Sequence, residues 1–265
     1  MIFQLGTGLV SCSVMICLHS APASTISGFS TSGQGFWRVR RLTSGGGAPI
    51  LRAETFMPEI LFLTGLLAAL AYLPVVSAPP APWRSALKTL PLSAFALAAG
   101  VAGGPPALFV ALALSALGDL ALSFEGRAAF LAGLGSFALA HLAFIALFLA
   151  LSGAPLWSAF ALQPGLAVYL VAVGLSAEVW LVPHVGALRW PVRAYVVAIT
   201  LMGLAALTLP LGRAALGAGL FILSDVILAL RLFRLGEDSP LSDAFAVLLW
   251  IAYVGGQTMI VTAVL

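Results

Sequence analysis

From residue 58 to the C-terminus the chain is a succession of apolar runs broken only by proline, glycine and clustered charge. Each run is near the ~20 residues that a helix needs to cross a hydrocarbon core. That pattern points to an all-α integral membrane protein. Composition agrees: 62% of residues are hydrophobic and 8% charged, against roughly 25% charged in an average soluble domain. A bundle of about eight transmembrane helices is expected, at approximately 58–76, 88–103, 105–123, 129–151, 164–182, 192–210, 213–233 and 244–264. The breaks have plain causes: Pro79, Pro80 and Pro82, then Gly103-Gly104-Pro105-Pro106, then Pro155 and Pro164, then the Gly236–Pro240 stretch.

Residues 1–55 differ from the rest. Ile2 to Leu18 is apolar but short for a span and interrupted by Ser11-Cys12-Ser13, and a Ser/Gly/Thr-rich segment with several arginines follows. An uncharged start makes it a poor signal peptide. The expectation is a disordered or non-native extension (1–55) ahead of an eight-helix transmembrane catalytic domain (56–265), with Met57 a natural start. Cys12 and Cys17 both lie in the extension, without the partners of a zinc site or a disulfide framework.

The net charge of +3 records topology and contact with anionic headgroups, not a nucleic-acid partner. Arg84, Lys88, Arg127, Arg189, Arg193, Arg231 and Arg234 fall in or beside the first, third, fifth and seventh connections, and the other side keeps Arg213. The positive-inside rule then places the odd connections in the cytoplasm. The expected location is a bacterial inner membrane. The arginines of residues 1–55 oppose that orientation.

Few ionisable residues remain at membrane depth: Asp119, His141, Glu178 and Asp225. An intramembrane carboxylate is costly and so marks function by default. With Tyr195 and Lys88 these residues fall toward the cytoplasmic half, so a site facing the inner leaflet is expected. Each also has a plainer reading. Asp119 and Asp225 can hydrogen-bond a neighbouring helix, His141 can be a satisfied core histidine, Glu178 can snorkel to the interface, and Lys88 and Arg193 can be topology anchors. Gly118, Gly133, Gly135 and Ser136 suit close helix packing. Gly118-Asp119 and Ser224-Asp225 echo each other within apolar helices four spans apart, which suggests a parallel duplication with facing carboxylates.

Several ordered pieces carry a family likeness: Lys88 with Pro91, Gly118-Asp119, Phe130-x-x-Gly133-x-x-x-Phe137-x-x-x-His141, Pro191-Val192-x-x-Tyr195 with Met202, Phe221-x-x-Ser224-Asp225, and Tyr253-x-x-x-Gln257. Together, across residues 58–265, they resemble the YhhN-like lysoplasmalogenase family of polytopic membrane enzymes. Glu178 is outside that pattern. The resemblance implies hydrolysis of the vinyl ether bond of a lysoplasmalogen, a lysophospholipid, to a fatty aldehyde and glycerophospho-ethanolamine or -choline. Vinyl ethers are cleaved by acid, which asks for a protonated carboxylic acid and a second group to steady positive charge and activate water, as in two-carboxylate glycoside hydrolysis. Asp119 and Asp225 are the expected catalytic pair, with His141 as relay. Tyr195, Gln257 and Ser224 are expected around the substrate, and Lys88 or Arg193 at its phosphate. No cofactor or metal is required, although two Asp and one His also make an oxygen- and nitrogen-rich ligand set. The rival reading is a proton-coupled transporter of a small or lipid-like substrate, in which the same residues relay protons.

Overall fold

The computed structural model describes residues 56–235 and 239–265; the extension expected over 1–55 lies outside the described residues. Nine α-helices are present among them: α1 (Met57–Tyr72), α2 (Pro82–Val101), α3 (Pro106–Ala121), α4 (Arg127–Ser152), α5 (Ser158–Leu162), α6 (Pro164–Trp180), α7 (Arg189–Ala206), α8 (Arg213–Phe233) and α9 (Ser242–Val264). There is no β-strand among the described residues. Proline opens α2, α3 and α6, where the N–H it lacks would have no helical partner. Gly153 ends α4 in the left-handed region at φ 64°, a conformation that glycine adopts without penalty.

Six elements are long and apolar enough to cross a membrane: α1 with its 3₁₀ extension, α4, α6, α7 with its preceding 3₁₀ turn, α8 and α9. Helix α3 is apolar but shorter, with 16 residues, and α2 is outside those six. Large apolar side chains such as Leu67, Leu97, Leu175 and Val179 stand exposed around the bundle, as a surface solvated by hydrocarbon requires. This is an integral membrane protein.

The helices pack in sequence, α1 on α2, α2 on α3 and α3 on α4, then α6 on α7, α7 on α8 and α8 on α9. The two runs meet where α4 lies on α7 and α2 on α9, so each crossing is the counterpart of the other. Buried between the runs are Leu92, Phe95, Leu112, Phe144, Phe148, Met202 and Phe221. Helices α8 and α9 touch backbone to backbone. A Cβ on Gly217 would stand 2.6 Å from the Gly256 carbonyl, and one on Gly256 would stand 2.7 Å from the Gly217 carbonyl. Small residues at such a crossing let two helices approach closely in lipid.

One end of the bundle gathers the cations. Arg84 Nε donates to the Val75 carbonyl at 2.9 Å, Arg234 donates to the Trp180 carbonyl at 3.1 Å, and the Phe130 and Phe233 rings meet edge to face at 6.2 Å. These contacts tie the ends of α1, α2, α4, α6 and α8 together. Arg84 and Lys88 lie inside α2, because Pro82 starts that helix well before the expected residue 88.

Candidate active site

Two polar clusters sit near that end, each built on one carboxylate. Asp119 is in the last turn of α3, 3% exposed. Lys88 Nζ from α2 stands 3.4 Å from its Oδ1 and also donates to the Asp119 carbonyl, while the Tyr253 hydroxyl from α9 donates to Oδ2 at 2.8 Å. Both carboxylate oxygens are therefore engaged, one of them by a cation. Gly118 lets α4 come close at this point: a Cβ there would stand 2.6 Å from the Phe137 ring.

Asp225 lies in mid-helix on α8. The Tyr195 hydroxyl from α7 donates to its Oδ2 at 2.8 Å, and His141 Nε2 from α4 is 3.6 Å from the same oxygen. Both contacts fall on Oδ2. That second separation is longer than a direct hydrogen bond. His141 is fully buried, its ring tilted on Phe221 at 4.9 Å and edge-on to Tyr195 at 5.2 Å. Neither ring nitrogen has a hydrogen-bond partner among the described residues; the Phe137 carbonyl one turn earlier comes near without reaching hydrogen-bond geometry.

The clusters are counterparts. In each, an Asp near a small residue is met by a side chain from the preceding long helix, Lys88 or Tyr195, and by a ring from the last long helix of the other run, Tyr253 or His141. The echo of Gly118-Asp119 and Ser224-Asp225 thus extends to their surroundings, with one chemical difference: Asp119 has a lysine beside it and Asp225 has a tyrosine and a histidine. The carboxylates do not bond each other. The Phe221 ring contacts Tyr253 at 5.5 Å and Phe137 at 6.3 Å as well as His141, so an aromatic layer joins the two.

Asp225 and Tyr195 face a cavity of about 100 Å³ between α4, α6, α7 and α8. The rest of its wall is almost wholly apolar, including Phe130, Phe137, Trp180, Ile222 and Phe233. Asp119 is not among its lining residues. Of the other expected site residues, Ser224 donates to the Phe221 carbonyl of its own helix at 2.7 Å and is 2% exposed. Gln257 is fully buried, with Nε2 3.3 Å from Ser115 Oγ. Arg193 lies near the start of α7, next in the chain to the cavity residue Val192, in a bidentate pair with Glu178 at 2.7–3.1 Å and over the Trp190 ring at 5.0 Å. Glu178 is accordingly an interfacial partner of Arg193. No group of three or more His, Cys, Asp or Glu able to hold a metal occurs among the described residues. Tyr253 is the site residue that reading the chain alone left without a role; its place one turn from Gln257, on the same face of α9, was the available signal.

A bundle of membrane-spanning helices, with two carboxylates held inside it and one of them at an apolar cavity, defines a polytopic membrane protein. The YhhN family model matches residues 83–264, and the chain belongs to the YhhN family. It is 37% identical over 158 residues to proteins named lysoplasmalogenase from Mycobacterium bovis and Mycobacterium tuberculosis, covering 58% of this chain and 58% of each of theirs. The chain therefore spans under two thirds of those relatives' length. No solved structure matches it.

Proposed function

We propose that the protein is a lysoplasmalogenase of the cytoplasmic membrane. It hydrolyses the vinyl ether bond of a lysoplasmalogen to a fatty aldehyde and a glycerophospho-ethanolamine or -choline, from a site open to the cytoplasmic leaflet. Supporting this are the family, the relatives' name and one observation above all: a carboxyl group, Asp225, at the edge of an otherwise apolar cavity.

Asp225 is the proton donor. Tyr195 holds Oδ2, which leaves Oδ1 to carry the proton into the cavity. The proton passes to the outer alkene carbon and the electron pair of the double bond forms the new C–H bond. The resulting oxocarbenium ion faces the Asp225 carboxylate. Water adds to the cationic carbon and returns its proton to Asp225, while the His141 ring, buried behind Oδ2, orients that carboxyl group. The hemiacetal then collapses: its hydroxyl proton moves to the glycerol oxygen, the C–O bond breaks, and the aldehyde leaves. Asp119, held by Lys88 and Tyr253 behind the Phe137 and Phe221 rings, is a positioning residue that fixes this wall as a charged, fully bonded unit. Gln257 and Ser224 set the α9 and α8 backbones behind it. Arg193, at the edge of the cavity, exchanges its Glu178 contact for the lipid phosphate. Both carboxylate helices run unbroken, unlike the interrupted helices that form carrier sites. The test is aldehyde release from an alkenyl lysolipid by purified protein in detergent, with the ester analogue left intact. Flux in sealed vesicles without product would support a carrier instead.

A further inference from the structure

A second hollow, of about 740 Å³, lies between α6 and α8. It shares Leu170, Val173, Ile222 and Val226 with the cavity that holds Asp225, so the two adjoin across these four side chains. Gly203 of α7 lies between its walls: a Cβ there would come within 3.0 Å of both Ile222 on α8 and Leu170 on α6. The hollow runs along α8 as far as Gly212. From Asp225 to Gly212 is about 20 Å at the helical rise per residue. A ~30 Å hydrocarbon core holds two leaflets, so this groove is long enough for a whole chain of one leaflet. No charged residue lines it, and Tyr169 is the sole lining residue with a polar side-chain atom. A headgroup or a water-soluble ligand finds nothing to bond there.

We infer that the groove between α6 and α8 receives the single hydrocarbon chain of the lipid whose polar end is processed at Asp225, and that Gly219 limits the chain length accepted. The inference rests on the hydrolase reading for the identity of that lipid and, for the path of its chain, on the shared wall of Leu170, Val173, Ile222 and Val226, whose side chains turn aside to let the chain pass. Gly219 lines the groove about 9 Å along α8 from Asp225, with nothing within 4 Å of where its Cβ would be. An indole at this position fills open groove and leaves roughly the near half free. Leu67 on α1, 66% exposed to lipid, provides the same bulk outside the groove.

The experiment uses two alkenyl lysolipids, one with a chain matching the groove and one about half as long, together with a long-chain probe bearing a photoreactive diazirine at its terminal carbon. In the wild-type protein the probe should cross-link to residues around Leu211, Leu216 and Leu166 at the far end. In Gly219→Trp the ratio of long-chain to short-chain kcat/KM should fall about tenfold or more, the scale of a steric misfit in an apolar pocket, and in Leu67→Trp the ratio should not move. Cross-links scattered over the lipid-facing helices, cross-links bridging two copies of the chain across α6 and α8, or an unchanged ratio in Gly219→Trp would overturn the groove. If cross-links fall in the groove while no lipid yields aldehyde, the groove stands and the hydrolase reading falls. Aldehyde formed with scattered cross-links has the opposite meaning.

Discussion

Removing both members of the Lys88–Asp119 pair should destabilise the bundle no more than removing one. Lys88 Nζ and Asp119 Oδ1 are 3.4 Å apart, with the side chains 18% and 4% exposed. Breaking a buried pair from one side strands an uncompensated charge and costs about 3–5 kcal/mol; the partial exposure of Lys88 lets its ammonium reach toward the interface and sets the expectation near 3 kcal/mol. Asp119→Asn strands the ammonium, and Lys88→Met strands the carboxylate. In the double variant a neutral Asn still accepts from Tyr253 and a thioether fills the lysine's place, so the total loss should be about that of one single variant or less, with a coupling of about 3 kcal/mol or more. Unfolding midpoints of the four proteins in one detergent, converted through a common denaturant slope, give the cycle. Losses that add, with coupling below about 0.5 kcal/mol, would show that the two charges are separately solvated and that the Asp119 cluster is not the bonded unit described.

Tyr195→Phe removes the hydroxyl that donates to Asp225 at 2.8 Å; kcat should fall about tenfold, as expected for losing a bond to a charged or protonating group, with KM little changed. Gly256→Ala should lower the unfolding midpoint by the equivalent of about 2 kcal/mol, because its Cβ meets the Gly217 carbonyl at 2.7 Å and the Phe221 N at 3.0 Å. Arg193→Ala, at an exposed pair, should leave the unfolding midpoint unchanged and raise KM for lysolipid without lowering kcat.

The helices were legible because proline, glycine and charge interrupt an otherwise continuous apolar chain, and membrane length is a hard constraint. Their ends were less so. Helix α2 begins at Pro82 with Arg84 inside it, because Arg84 bonds back to the Val75 carbonyl, a tertiary contact that hydropathy does not carry. The short α5 between Pro155 and Pro164 has no membrane-length signal and was read as loop. Asp119, His141 and Asp225 stood out because polar groups are costly at that depth, and the structure places all three in buried clusters. Which partner each would meet depends on how helices distant in the chain rotate against one another. Hence Tyr253 on Asp119, 134 residues away, was not assigned, and the two carboxylates, expected to face each other, have the aromatic layer around Phe221 between their clusters. Ser224 and Gln257 enter through the family resemblance, and they bond helix backbone and Ser115.

The most direct measurement is aldehyde release by purified Asp225→Asn from an alkenyl lysolipid in detergent, with folding checked by unfolding midpoint. Loss of a general acid removes about 10²–10⁴-fold in rate, so the variant should fall into that range while Asp119→Asn, freed of its stranded charge by Lys88→Met, keeps a larger share of activity. An Asp225→Asn protein that releases aldehyde at the wild-type rate would contradict the assignment of Asp225 as the proton donor.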